Sequence, residues 1–292
     1  MKTFFDCIPC FIRQALHSAR LATPDEAVQE RVVREALRAG AEMDLRQSPP
    51  AMAQHIHRAI REFAGQDDPY REIKDWSNRM ALRLYPTLRT WVEDSNRPME
   101  TAIRLVIAGN VIDFGVNSHI SEPQVRESIT HALSAPLEGN VEEFCSALSG
   151  VDRILYLADN AGEIVFDRLL IEQLPAGKVT VAVKGFPAIN DATLADAEAA
   201  GIHQVAEVIE NGSDAPGTIL DDCSESFRDR FDQADLVIAK GQGNYETLSE
   251  VDKDIYFLLK AKCPVIARDI GCQEGAMILE RSGMSTADRG RG

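Results

Sequence analysis

Beyond residue 150 the chain alternates short apolar runs with helical segments, and this rhythm restricts the fold more than any other feature. "RILYLA" (153–158), "KVTVAVK" (178–184), "HQVAEVIE" (203–210), "DLVIAK" (235–240) and "CPVIAR" (263–268) recur at intervals of roughly thirty residues, as βαβ units do. Continuous Val, Ile and Leu runs fit strands that water reaches on neither face, as in a parallel sheet sandwiched between helices. Residues 151–280 are therefore expected to form a mostly parallel, doubly wound, Rossmann-like α/β/α core. Ligands of such sheets lie beyond the carboxyl ends of the strands. The five runs deliver "ADNAGE", "VKGFPAINDAT", "IENGSDAPGT", "AKGQGNYETLSE" and "ARDIGCQEG" to that edge, all polar and glycine-containing, which points to one shared site.

Residues 1–150 read differently. "ATPDEAVQERVVREALRAG" offers Thr23 as N-cap, Pro24 at the first helical position and Gly40 as the stop. "SPPAMAQHIHRAIREFAG" repeats that grammar and closes on Gly65. "DDPYREIKDWSNRMALRLYPTLRTWVED" is a longer helix with an expected break or kink at Pro86, and Trp76, Met80, Leu84 and Leu88 form its core-facing stripe. "RPMETAIRLVIAGN" and "EPQVRESITHALS" add two more helices. No strand signal and no internal repeat stands out in this half. Residues 281–292 are expected to be a mobile tail.

The net charge of −15 argues against nucleic acid as a partner and is compatible with a cation site. No run approaches the roughly 20 apolar residues of a membrane span. "MKTFFDCIPCFIRQALHSAR" lacks the apolar stretch and cleavage site of a signal peptide. Six scattered cysteines do not make a disulfide scaffold, so a reducing cytoplasm is the expected setting.

Asp159, Asn160 and Asp191 are hard oxygen donors suited to Mg²⁺, Mn²⁺ or a similar ion. As helix N-caps, the two aspartates would have a purely structural role, and the two roles are compatible. Lys240, leaving an apolar run between Ala239 and Gly241, either snorkels or meets an anion. Gly241, Gly243 and Asn244 could line a phosphate with N–H donors. Asn110 and Asp113 interrupt an apolar helix, as a C-cap or as functional polarity. Glu163 could orient a water or take a proton as general base, or be an ordinary helix-start glutamate. Ser213 and Asp214 read as pocket lining or as a plain turn. "CIPC" (Cys7, Cys10) could be a redox pair, half a zinc site or packed thiols.

Taken in order, "GNVIDFG", "LADNAGEIVFD", "KGFPAINDAT" and "KGQGNYETL" resemble the damage-control phosphatases, once catalogued as domain of unknown function 89. The resemblance runs from "CIPC", present in one branch of that family, to about Gly275. It implies a helical part on an α/β core and a metal-dependent phosphohydrolase acting on small phosphate esters. It also implies that Asp159, Asn160 and Asp191 hold Mn²⁺, Co²⁺, Ni²⁺ or Mg²⁺, while Lys240, Asn110 and Asp113 engage the phosphate. None of the six histidines falls in these motifs, and "CQEGAMILER" lacks the arginine spacing of a cysteine-based phosphatase. The alternatives are an S-adenosylmethionine-dependent transferase and a non-catalytic phosphometabolite sensor. The oligomeric state is not legible.

Overall fold

The computed structural model describes residues 1–111 and 122–282, so Asp113 and residues 283–292 of the expected tail lie outside the described residues, as does the side chain of Asn110; Arg281, expected to open that tail, is instead the end of a strand. Six helices come first: α1 (Ile8–Ala22), α2 (Glu26–Glu42), α3 (Pro49–Ala64), α4 (Arg71–Glu93), α5 (Pro98–Val111) and α6 (Glu122–Ser134). There follow β1 (Leu137–Glu138), α7 (Val141–Leu148), β2 (Ile154–Leu157), α8 (Glu163–Ile171), β3 (Val179–Val183), α9 (Leu194–Ala200) and β4 (Glu207–Glu210). The chain then forms α10 (Glu225–Gln233), β5 (Leu236–Lys240), α11 (Gly241–Leu248), β6 (Ile255–Lys260), α12 (Pro264–Ile270) and β7 (Met277–Arg281).

The strands form one sheet in the order β1-β7-β6-β5-β2-β3-β4. All neighbours are parallel except β6 and β7. Strand order runs outward from β2 in one direction and from β5 in the other, so the switch point lies between these two strands. Alternate residues of β2 serve opposite faces: Ile154 and Tyr156 pack with α4, α5 and α8, whereas Leu155 and Leu157 pack with α10, α11 and α12. The expected doubly wound α/β/α arrangement is thereby realised. Helices α4–α7 share the core of the first face, and α1–α3 enclose a smaller core of their own around Phe11, Ala15, Ile56 and Ile60.

Several local expectations are corrected. "CPVIAR" is helical, not a strand. Pro264 takes the first turn after an extended Cys263, and Val265, Ile266, Ala267 and Ile270 bury a helical face. Its place in the sheet is taken by "IYFLLK" (β6), and "ARDIGCQEG" is consequently a helix end rather than a strand end. In "HQVAEVIE" only Glu207–Glu210 is strand, at the sheet edge. Asp25, not Thr23, caps α2, its carboxylate accepting from Ala27 N at 2.9 Å, and the helix runs past Gly40 to Glu42. Helix α4 continues through Pro86; the carbonyl four residues earlier belongs to Leu82, which is exposed enough for water to replace the lost hydrogen bond. The helical half also contains the two-residue strand β1, paired with β7.

The amino terminus is tied to the sheet domain. The Met1 ammonium donates to Glu246 O at 2.8 Å, and its side chain is buried in the core of the second face. Burial pushes the part-buried Glu246 carboxyl up to about 7, against the Gln242 amide and the Met1 ammonium, which favour its charged form. A carboxyl raised from 4.5 to about 7 keeps its proton in the folded state where the unfolded chain releases it, so it stabilises the fold at low pH and that contribution is lost as pH rises across this window. Denaturant titrations of wild type and Glu246→Gln at pH 5 and pH 8 are expected to show a wild-type decline, at most about 3 kcal/mol, that the variant lacks.

Candidate active site

Asp159 and Asn160 leave the end of β2, and Asp191 lies in the loop after β3. The two loops are joined as a short antiparallel pairing: Asn160 is bridged to Asp191, Ala192 N donates to Asp159 O at 2.7 Å and Ala161 N to Asn190 O at 2.8 Å. The sequence separation of these residues is closed by backbone hydrogen bonds. Gly241 begins α11 at the end of β5 with φ of 78°, and a methyl group there would lie 1.8 Å from Asp159 Oδ2. The Asp159 carboxylate thus rests against the start of α11, at the switch point where sheets of this type bind ligands.

Asp159, Glu163 and Asp191 are all buried. Burial, followed by the negative charges of Glu163 and Asp191, holds the Asp159 carboxyl well above the ordinary carboxylate range. Burial also raises Asp191, although Lys184 opposes the shift. Lys184 Nζ stands 3.3 Å from Asp191 Oδ2, an ion-pair separation without hydrogen-bond geometry, and that oxygen has no hydrogen-bond partner among the described residues. Asn160 Nδ2 donates to Asp159 Oδ2 at 2.9 Å and to Glu163 Oε2 at 3.1 Å. Both amide protons of Asn160 are thereby directed at neighbouring carboxylates.

Lys240 meets anions, one of its two sequence readings, and these are carboxylates of the protein itself. It is fully buried, and its ammonium donates to Glu163 Oε1 at 2.5 Å, Asp167 Oδ1 at 2.7 Å and Val106 O at 3.2 Å. Burial disfavours its charge, but Asp167 and Glu163 together hold its pKa above the ordinary lysine value. Tyr156 also donates to Asp167 at 2.8 Å, and burial carries Asp167 up to about 6 even so. Glu163 is therefore an internal counter-ion at the start of α8 and not a surface glutamate.

Other expected contacts serve the scaffold. Asn244 is buried, donating to Lys240 O at 2.8 Å and accepting from Thr218 Oγ1 at 2.7 Å. Gly243 admits the backbone of Gly217, whose amide nitrogen would sit 3.0 Å from an added Cβ. Ser213 is buried and donates to Asp222 at 2.6 Å. Asp214 pairs with Arg58 at 2.6 Å and with Arg61, anchoring α3 to the loop after β4. Asn110 ends α5, and Gly109 just before it lets α5 cross α8: a Cβ there would meet Phe166 at 2.7 Å and Glu163 at 3.4 Å. Cys7 caps α1 and Cys10 lies in its first turn, where Arg13 donates to Cys10 Sγ at 3.0 Å; both thiols are free.

The residues not singled out in the sequence are Lys184, Asp167, Tyr156 and Lys262, an exposed lysine after β6 whose charge favours ionised Asp159. Lys184 has the same signal that drew attention to Lys240, a lysine leaving an apolar strand into a glycine.

A cation fits these groups. Four carboxylates (Asp159, Glu163, Asp167, Asp191) are buried together, and Asp159 and Asp191 resist ionisation there, as hard oxygen donors awaiting a cation would. Among the described residues no three His, Cys, Asp or Glu side chains cluster as a metal site, so the protein's share of a coordination shell would be two carboxylates and an amide.

The fold and these groups define a doubly wound α/β protein with a buried acidic, amide-bearing cluster at its switch point. The chain belongs to the family of the damage-control phosphatase ARMT1-like domain, whose profile matches residues 3–278. It is 38% identical over 278 residues to a damage-control phosphatase of Archaeoglobus fulgidus, covering 93% of this chain and 96% of that one. It is 35% identical over 288 residues to Damage-control phosphatase PH1575 of Pyrococcus horikoshii, covering 97% and 99%. The crystal structure of that DUF89 family protein superposes with a TM-score of 0.88 at 34% identity, over 97% of this chain and 99% of the other. Among the described residues no helix is long and apolar enough to cross a membrane.

If Lys240 is a counter-ion of the fold, Lys240→Met strands Glu163 and Asp167 in the interior and is expected to cost about 3–5 kcal/mol of unfolding free energy. Denaturant titration in EDTA checks this; unchanged stability with a raised KM alone would return Lys240 to the substrate.

Proposed function

We propose that this chain is a metal-dependent phosphatase that hydrolyses small phosphometabolites, a class that includes damaged or surplus sugar phosphates, phosphopantetheine-like compounds and nucleotide-related phosphates. The observation that carries the reading is the pairing of the two strand-end loops that brings Asp159, Asn160 and Asp191 together, buried, at the switch point, with Asp191 Oδ2 lacking a hydrogen-bond partner among the described residues. The family and the names of its relatives support a phosphatase.

Asp159, Asn160 and Asp191 would hold Mn²⁺, Co²⁺, Ni²⁺ or Mg²⁺. When bound, such an ion neutralises phosphate charge and lowers the pKa of a coordinated water. The chain's own groups do the rest. Glu163 holds the Asn160 amide through its Nδ2, and Lys240 holds Glu163 in place by an ion pair. Lys184, beside Asp191, and Lys262, at the open side, are the ammonium groups available to a phosphate oxygen. Charge developing on the transferred group would be met by preorganised donors and not by solvent. Asn110 stays a proposed phosphate contact on the strength of its helix end beside Glu163, and Asp113 stays one on the motif alone.

Hydrolysis of p-nitrophenyl phosphate is expected to vanish after EDTA treatment and return with Mn²⁺, Co²⁺ or Ni²⁺. Asp159→Ala is expected to abolish metal-dependent turnover while relieving buried repulsion, so that its melting temperature in EDTA equals or exceeds that of wild type. Turnover that persists without metal, or an Asp159→Ala variant with half the wild-type rate, would overturn the assignment.

A further inference from the structure

The two loops that carry Asp159, Asn160 and Asp191 are held from outside the sheet by one side chain. Asn78, on α4, accepts from Gly162 N through Oδ1 at 2.6 Å and donates through Nδ2 to Asp196 Oδ1 at 2.8 Å. Gly162 is the residue before α8, two positions after Asn160. Asp196 closes the capping box of α9, accepting from Thr193 N at 2.9 Å and Thr193 Oγ1 at 2.7 Å, five positions after Asp191.

The arrangement is chemically specific. Gly162 N–H requires an acceptor and the Asp196 carboxylate a donor, and an amide is the compact side chain that supplies both. Lys74, one turn before Asn78 on the same helical face, reaches the other Asp196 oxygen at 3.2 Å and Asp68 at 3.2 Å. Asn78, Lys74 and Asp196 are each no more than 3% exposed, so none of these bonds is exchanged readily for water. An apolar residue at 78 would fill the space and leave a buried N–H and a buried carboxylate oxygen short of a partner.

We propose that Asn78 is a positioning residue: its amide sets the spacing of the two metal-bearing loops, so that the helical half of the chain determines the geometry of the cation site. The inference rests on the proposed metal reading of Asp159, Asn160 and Asp191. Groups that orient ligands without touching the ion commonly change metal affinity by about 10–100-fold when removed.

The test uses the full chain, with Mn²⁺ alone as the probe in titration calorimetry, and hydrogen exchange at the amide of Gly162. Asn78→Leu is expected to bind Mn²⁺ about tenfold more weakly and to exchange the Gly162 amide faster. Asn78→Ser carries the same expectation should Asn78→Leu not fold. In the pair Asn78→Asp with Asp196→Asn, the carboxylate still accepts from Gly162 and the new amide donates back, with no change in net charge; both readouts are expected near wild type. A folded Asn78→Leu with wild-type affinity and exchange, or an exchanged pair as impaired as Asn78→Leu, overturns the proposal. Wild type that binds no Mn²⁺ defeats the metal reading instead, and Gly162 exchange then judges the clamp by itself.

Discussion

Four carboxylates buried together at the switch point, Asp159, Glu163, Asp167 and Asp191, are costly, and the rest of this structure is arranged around that cost. An ionised carboxylate in a dry interior is tolerated when it is paired, hydrogen-bonded or close to a cation. Lys240 satisfies Glu163 and Asp167 from below, and Lys184 approaches Asp191 from the side. Asp159 and Asp191, on the two paired loops, are each buried beside other carboxylates. Their displaced proton equilibria express the same fact: each holds its proton more tightly than a solvated carboxyl would.

The backbone brings these charges together. Reversal of strand order between β2 and β5 leaves a gap at their carboxyl ends, and the loop bonds between Ala161, Asn190, Ala192 and Asp159 close the gap on one side. Gly241 closes it on another because it lacks a Cβ and adopts positive φ. Helices α4 and α5 complete the enclosure, α5 approaching α8 closely at Gly109. The helical half is a wall of the cleft, and the sheet supplies its floor.

Most elements were legible because their side-chain periods are simple. The stripe Met80, Leu84, Leu88 is buried along α4, and "RILYLA", "KVTVAVK" and "DLVIAK" contain β2, β3 and β5. "CPVIAR" was not legible: six residues are too few to separate a buried strand from a buried helix turn, and the proline that starts α12 is the informative residue. Of the proposed site, the place of Asp159, Asn160 and Asp191 just after apolar runs was readable. The role of Lys240 was not, because a lysine after a strand looks the same whether it meets a ligand or a carboxylate from another helix. Ser213 and Asn244 stayed ambiguous for a related reason, since polar loop residues also satisfy the backbone of their own turns.

The sequence by itself determined the class of fold, the edge of the sheet where function would lie and the chemical type of the groups placed there, since these depend on local period and on which residues follow each strand. Only the tertiary structure decided which charges neutralise one another. Glu163 and Lys240 are 77 residues apart, Asn78 and Gly162 are 84 apart, and whether such groups meet is set by the packing of α4, α5 and α8 against the sheet. Electrostatic energy depends on distance through space and on exclusion of water, and neither quantity is written along the chain.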